Sequence, residues 1–444
     1  MTEPATTIKH IDWKNIFPWL IIFRTLPIAV SPSIWILALA GVILTPMGWL
    51  IGETLFVGES LRLQDSGFNQ FVEQSRSPFR GVLDASTESL GDGRSLADPL
   101  ADPLSGPGLV FQRLSDPVRR IFDTPMSFLK FGYLLLGGLW TIGIWSFCGC
   151  GIARICLLRL TQDDSAGLDD ALQFSVSRFS TCVAAIVLPL LGVAVACVPC
   201  FAIGLLLTSD IGTMLGGLLW FFVLAIAAVM AVVLIALLFG WPLIICAISA
   251  ENQNALDAIT RAFAYILQRP LHAAFYSAVS ILFGGICWLL VAQVTMTTVQ
   301  LGSWSASWGS NVADASRMEQ IRSPVSATGE SASGGMSADS SASTQDNQST
   351  ALSIGKRIIH FWNGLLFTVA VAFLYGQFWC LASAVYLLLR KDVDETEMDE
   401  VYQTEQTRSY DLPPLKSDAN GIPNIEPLDE NSRSKPGRMN EADT

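Results

Sequence analysis

Thiols are the most reactive groups in this sequence. CVPC at 197–200 has the two-residue spacing of a thiol-redox pair, and CGC at 148–150 adds two of the nine cysteines. Both motifs sit inside long apolar runs. Counted from the ends expected to face the cytoplasm, at 1.5 Å per residue, Cys148 lies about 15 Å deep and Cys197 about 26 Å deep. A depth difference of about 10 Å argues against one shared four-thiolate metal site. Cysteine also packs as a small hydrophobe, so the redox reading of Cys197 and Cys200 competes with plain burial. The three histidines, His10, His272 and His360, fall in separate regions with no partner at metal-ligand spacing. No phosphate-binding glycine loop, serine-nucleophile elbow or zinc-protease helix occurs. The sequence therefore suggests no catalytic residue, no metal and no cofactor, and the expectation is a protein that is not an enzyme.

The positioning elements follow from composition. The 444 residues are 51% hydrophobic and 15% charged, with a mean hydropathy of +0.45. Soluble domains carry about 25% charged residues. The apolar residues fall in solid runs without the alternation of barrel strands, long enough to cross a hydrocarbon core as helices. The expected fold is all-α and polytopic, with six spans at 33–55, 131–158, 180–207, 214–248, 271–298 and 360–389. Their middles contain no Asp, Glu, Lys, Arg or His, which speaks against a proton-coupled pathway. Gln377 is the most polar group at mid-span and suits a hydrogen bond to a neighbouring helix. Pro242 lies late in the longest run, where a kink or tilt is expected.

The chain divides as 1–57 (interfacial segment and first span), 58–130 (a largely irregular outside loop), 131–298 (a four-span core), 299–356 (a Ser/Ala/Gly-rich disordered loop), 357–391 (last span) and 392–444 (an acidic, disordered tail). Residues 13–30 hold two prolines, Lys14 and Arg24, and read as interfacial. In the outside loop, LADPLADPL at 96–104 and the following SGPG read as turns, and 110–130 as a segment along the membrane surface. Lys9, Lys14, Arg24, Arg154, Arg159, Arg178, Arg261, Arg269, Arg390 and Lys391 gather on one side, so both termini are expected in the cytoplasm. The net charge of −12 does not point to nucleic acid: residues 392–444 carry fourteen acids against five bases.

Two polar stretches between spans are helix-shaped. LDDALQFSVSRF (168–179) aligns with ALDAITRAFAYI (255–266) at an offset of 87, which makes a parallel repeat of two similar helix–amphipathic helix–helix hairpins, 131–212 and 213–298. A duplication and two unrelated amphipathic hairpins both account for this. The expected apolar faces are Leu168, Ala171, Leu172, Val176 and Phe179 in the first copy, and Leu256, Ile259, Phe263 and Ile266 in the second. Pro270 ends the second helix. Asp170, Arg178, Asp257, Arg261 and Arg269 are the candidate partner-docking residues on the polar faces. An interfacial helix seated at the lipid boundary competes with a coupling helix for an ATPase. Neither copy has the Glu-Ala-Ala and spaced Gly of importer permeases.

FGWPLIICAISAENQNALDAITRAFAYILQRPLHAAFY (239–276) and YLLLRKDVDETEMDEVY (386–402) resemble a group of uncharacterised bacterial multi-pass membrane proteins. The resemblance implies an inner-membrane location with paired hairpins, and no activity. The leading expectation is a scaffold or assembly component whose partners are membrane lipids and a cytoplasmic or membrane protein. The alternatives are a membrane subunit of a transporter for a hydrophobic or lipid-like substrate, and a thiol-redox protein using CVPC.

Overall fold

A computed structural model describes residues 17–56, 71–72, 106–122, 127–161, 167–311 and 350–395. These are helical throughout apart from short turns: a 3₁₀ turn Pro18–Arg24, α1 Thr25–Ala29, α2 Pro32–Phe56, α3 Pro107–Arg120, α4 Phe128–Thr161, α5 Leu168–Leu206, α6 Asp210–Glu251, α7 Ala255–Gln268, α8 Pro270–Asn311 and α9 Thr350–Asp394. Six of them (α2, α4, α5, α6, α8 and α9) are long and apolar enough to span a bilayer. The protein is an all-α, multi-pass membrane protein.

The bundle has a base, where α4 and α6 end and α5 and α7 begin, and a top, where α2 ends and α5 turns into α6. α4 and α9 form its centre. α2 packs on α4 by placing each tryptophan over a glycine of its neighbour. A Cβ on Gly137 would lie 2.2 Å from Trp49, and one on Gly48 would lie 2.0 Å from Trp140. The indole N–H groups then find acceptors across the interface: Trp49 donates to Thr141 Oγ1 (3.1 Å) and Trp140 to the Leu44 carbonyl (2.9 Å). Residues 18–29 pack against α9, with Ile22, Thr25 and Ala29 buried and Phe17, Leu20 and Phe23 exposed. Gln377 donates to Thr25 Oγ1 at 3.3 Å, the interhelical bond expected of it.

Several elements depart from expectation. α8 runs on to Asn311 and α9 starts at Thr350, so both ends of the Ser-rich loop are helical; Trp304 and Trp308, with rings 5.7 Å apart, lie on the α8 extension. The centre of that loop, LADPLADPL and the tail beyond 395 lie outside the described residues. The two polar stretches begin 87 residues apart, at Leu168 and Ala255, as aligned. They end differently. The first continues into its span as one 39-residue helix, whereas the second stops at Gln268 before Pro270 opens α8. The position aligned with Pro270 is Val183, which keeps its amide and lets α5 continue.

The largest departure is α3, expected along the membrane surface. It packs against α4, α8 and α9, with Pro107, Val110, Ser115 and Pro117 buried. The preceding Gly106 has φ +83°, in the region that favours glycine, and meets the backbone of Gly285: an added Cβ would lie 3.0 Å from the Gly285 Cα. Pro107 presses on Gly284, where a Cβ would come within 2.3 Å of its ring. Gly284 and Gly285 thus make a notch in α8 that takes the tip of α3.

Candidate functional site

At the base, α6 ends where Asn252 adopts φ 57°, a left-handed cap that a polar residue tolerates. This aims Glu251 at the last turns of α9. The Glu251 carboxylate accepts from Tyr386 Oη (2.9 Å), pairs with Arg390 (3.1 Å) and takes Arg261 and Gln253 as further donors. Asp394 accepts from Tyr265 Oη and lies 3.9 Å from Arg261, and Asp392 accepts from Tyr276 Oη at 2.8 Å. Burial pushes the Tyr265 phenol pKa up, and the hydrogen bond to Asp394 pushes it further. Burial alone would lower that of Arg261; Glu251, Tyr265 and Tyr386 together outweigh it and hold the guanidinium above its ordinary value.

Of the predicted docking residues, Arg261 belongs to this network, while Asp257 and Arg269 are exposed on α7. Asp170 is exposed at the start of α5 and Arg178 is half-buried. Neither polar stretch is free of the bundle, because the two touch each other and α7 also touches α6, α8 and α9. The buried residues of α7 are Ala258, Ile259, Ala262 and Tyr265; of the expected apolar face, Ile259, Phe263 and Ile266 pack against the core and Leu256 is exposed. Gly240 of α6 leaves room for Phe263 and Ile266 of α7, and Tyr265 turns inward to reach Asp394. In the first copy Leu168, Ala171 and Leu172 of the expected face pack against the core. Val176 and Phe179 face outward, while Phe174 is buried with the Arg154 guanidinium 4.7 Å above its ring. The sequence reading missed Glu251, Arg390, Tyr265 and Tyr386. Its one usable signal was a lone acid, Glu251, closing an otherwise apolar run.

The second site is built by α3. Thr45, Trp145 and Tyr375 each fall within about one residue of the middle of their spans, Pro32–Phe56, Phe128–Thr161 and Arg357–Asp394. They interlock: Trp145 stacks on Tyr375 (4.6 Å between centroids) and donates to Thr45 Oγ1 (3.1 Å). Arg113 of α3 lines the same cavity as Tyr375 and Thr45. α3 therefore carries a guanidinium to mid-bundle depth, although no span contains a charge there. A charge at this depth costs several kcal/mol and marks a functional site by default.

Cavities flank α3 on two sides. One, of about 370 Å³ between α2, α3, α4 and α9, is lined by Gln112, Arg113, Asp116 and Arg119 together with Thr45 and Tyr375. The other, of about 190 Å³ between α3, α4, α5 and α6, is lined mainly by aliphatic and aromatic side chains. They share Leu114, Arg119, Thr141 and Trp145. Comparison with protein-family models, curated proteins and solved structures found no match. Function must therefore be read from the geometry of these two cavities and of the base network.

The cysteines line neither cavity. All nine are free thiols. Cys197 and Cys200 lie on one helical turn of α5, the first exposed and the second half-buried. Among the described residues, no three His, Cys, Asp or Glu come together as a metal-holding group.

Proposed function

We propose that the protein is a membrane subunit of a transporter for a hydrophobic, lipid-like substrate, held beside α3 in a bacterial inner membrane with both termini in the cytoplasm. The observation that carries this reading is the pair of adjoining cavities, one polar and one apolar, at mid-span depth. A site for a purely apolar molecule needs no arginine, and one for a small ion needs no apolar chamber. The orientation is supported by Arg159, Arg261, Arg269, Arg390 and Lys391 at the base. Extraction into a mild detergent and mass spectrometry of the product test the reading. About one bound lipid-like molecule per chain is expected, together with protein-dependent flux of that molecule in liposomes. Lipid-free protein that moves nothing would refute it.

A scaffold role has its own support on α7. Leu256 and Leu267 are exposed there beside Asp257, Gln268 and Arg269, an apolar and charged surface suited to a partner protein. Crosslinking from Leu267 in intact cells should capture one defined protein if this holds, and only lipid if it does not.

A further inference from the structure

We infer that the apolar chamber between α3, α4, α5 and α6 binds an acyl lipid by its ester, with the acyl chain along the aliphatic wall. The inference rests on the reading of the protein as a handler of lipid-like molecules, and the ester is the group it adds to that reading.

Unmet donors set the chemistry. Ser115 on α3, Ser146 on α4 and Trp241 on α6 line this chamber of about 190 Å³. Their polar atoms, Ser115 Oγ, Ser146 Oγ and Trp241 Nε1, are buried with no hydrogen-bond partner among the described residues. Thr45, Thr141 and Ser249 satisfy their hydroxyls by donating to the carbonyl four residues back. Ser115 and Ser146 do not. A buried donor without an acceptor is costly, and three from three helices around one chamber call for acceptors in the ligand. Membrane hydrocarbon cannot supply them. Ser146 lies within about two residues of the middle of its span, Phe128–Thr161, at the depth where a bilayer offers only chain carbons.

The shape of the acceptor follows from the rings. Both tryptophans of the lining are already stacked on protein: Trp145 on Tyr375 at 4.6 Å, and Trp241 on Phe111 at 6.1 Å and on Phe378 at 5.8 Å. A planar acceptor such as a quinone gains from a free ring face, whereas an aliphatic one needs none. An acyl ester fits both conditions. Its two oxygens accept, it has no donor, and it continues into hydrocarbon. Ile186, Leu190, Leu234 and Leu238 give the chamber an aliphatic wall for that chain. Ile235 lines the chamber and is itself exposed on α6, so a lipid can enter from the bilayer side.

The test is binding of tritiated dioleoylglycerol, an uncharged diester, to the full-length protein in dodecyl maltoside. Three unlabelled competitors separate the contributions: dioleoylglycerol itself, its diether analogue, which keeps the chains and the hydroxyl but lacks the carbonyls, and a prenylated naphthoquinone. Dioleoylglycerol should compete at least about tenfold better than the diether, and better than the quinone. Ser115→Ala with Ser146→Ala should cut the preference for the ester to about threefold or less. Affinity for the diether should stay unchanged in that variant, which shows that the chamber still forms. Trp241→Phe, which keeps a ring and removes the N–H, should lower the preference by a smaller factor. Equal competition by ester and diether would overturn the ester assignment while leaving a lipid site in place. An ester preference untouched by the serine and tryptophan changes would overturn its placement in this chamber, and stronger competition by the quinone would replace the ester with a planar acceptor. No saturable binding of any of the three, by protein that still melts cooperatively, would overturn the lipid-handling reading as well.

Discussion

The central pair, α4 and α9, and the hairpin α5–α6 are all apolar enough to span, yet they meet opposite surroundings. In their most apolar windows 72% and 78% of α4 and α9 is buried inside the protein, against 11% and 6% for α5 and α6. The order of hydropathy is the reverse: α6 and α5 are the most apolar of the six, and α4 and α9 the least. The reason is the solvent. Lipid tails accept any apolar surface without fitting it, so a lipid-facing helix needs only to be greasy all round. A protein-facing helix must fit its neighbour, and close fit comes from Gly, Ser, Cys and Trp, which lower hydropathy. GIWSFCGCGIARIC (143–156) in α4 is such a surface, and LLWFFVLAIAAVMAVVLIALL (218–238) in α6 is the other kind. In this protein hydropathy locates the spans and separates the most exposed pair from the core pair, and the core belongs to the spans that score lowest.

The contrast is most exposed to test at glycines. In α4 a Cβ on Gly149 would lie 2.4 Å from the buried Trp379 ring, whereas in α6 a Cβ on Gly217 would meet nothing within 4 Å. Gly149→Leu should destabilise the protein by about 3 kcal/mol or prevent its accumulation. Gly217→Leu should change stability by less than about 0.5 kcal/mol. Reversible unfolding in bicelles measures both. Similar losses at the two positions would show that α6 is also packed against protein.

The second test sets the base against the top. Glu251 and Arg390 are largely buried partners at the base, while Asp210 at the start of α6 is exposed. Glu251→Gln should cost about 2–3 kcal/mol, because Arg390 and Arg261 lose a common counter-charge and Arg390 stays buried. Asp210→Asn should stay within about 0.5 kcal/mol. A double-mutant cycle with Arg390→Gln should return a favourable coupling; a coupling near zero would mean the carboxylate acts only through Arg261, Tyr386 and Gln253.

Legibility in the sequence divides along the same line. The six spans were legible because a run of about twenty apolar residues leaves a lipid-facing helix few alternatives. The polar stretches were legible as helices by their period, down to matching starts at Leu168 and Ala255. Their orientation was legible in part: Leu168, Leu172, Ile259, Phe263 and Ile266 pack against the core, whereas Val176, Phe179 and Leu256 are exposed and the small Ala258, Ala262 and Ser175 are buried. α3 was hidden altogether. A short segment with Pro117 and three arginines reads as surface chain, and what buries it is a fit between Gly106–Pro107 and the distant Gly284–Gly285. Glu251 and Arg390 are separated by most of two spans and a loop, and each alone looked like a loop charge. Arg113 and Tyr375 come to one cavity only in the folded bundle, so nothing in the order of residues put a charge at mid-depth. The polar chamber was invisible for that reason.

A smaller effect is expected at Tyr265. Burial and Asp394 hold its phenol protonated above its ordinary pKa of 10.0. Below that value the folded and unfolded states both keep the proton, and the hydrogen bond contributes its full stabilisation. As pH rises past about 10 the unfolded phenol ionises while the folded one does not, so stability is lost with rising pH. Tyr265→Phe should therefore cost about 1 kcal/mol near neutral pH. The gap to wild type should narrow as the pH is taken above about 10. A gap that stays constant would mean that the phenol's environment does not change on unfolding.

The smallest effects are expected at the thiols, where the two regions separate once more. Cys150 in α4 is fully buried, with the Ser249 hydroxyl 3.4 Å from its sulfur. Cys150→Ala should cost about 1 kcal/mol, as a small cavity in a packed core does. Cys197 and Cys200 stand on the outward part of α5, and the double change to alanine should shift stability by less than about 0.5 kcal/mol. A lipid-soluble maleimide should reach Cys197 in intact membranes and leave Cys150 unmodified. If CVPC is instead a redox centre, a disulfide between Cys197 and Cys200 will form on mild oxidation and protect both from the reagent. Lipid flux will then depend on its state, and the outer half of α5 becomes a site in its own right.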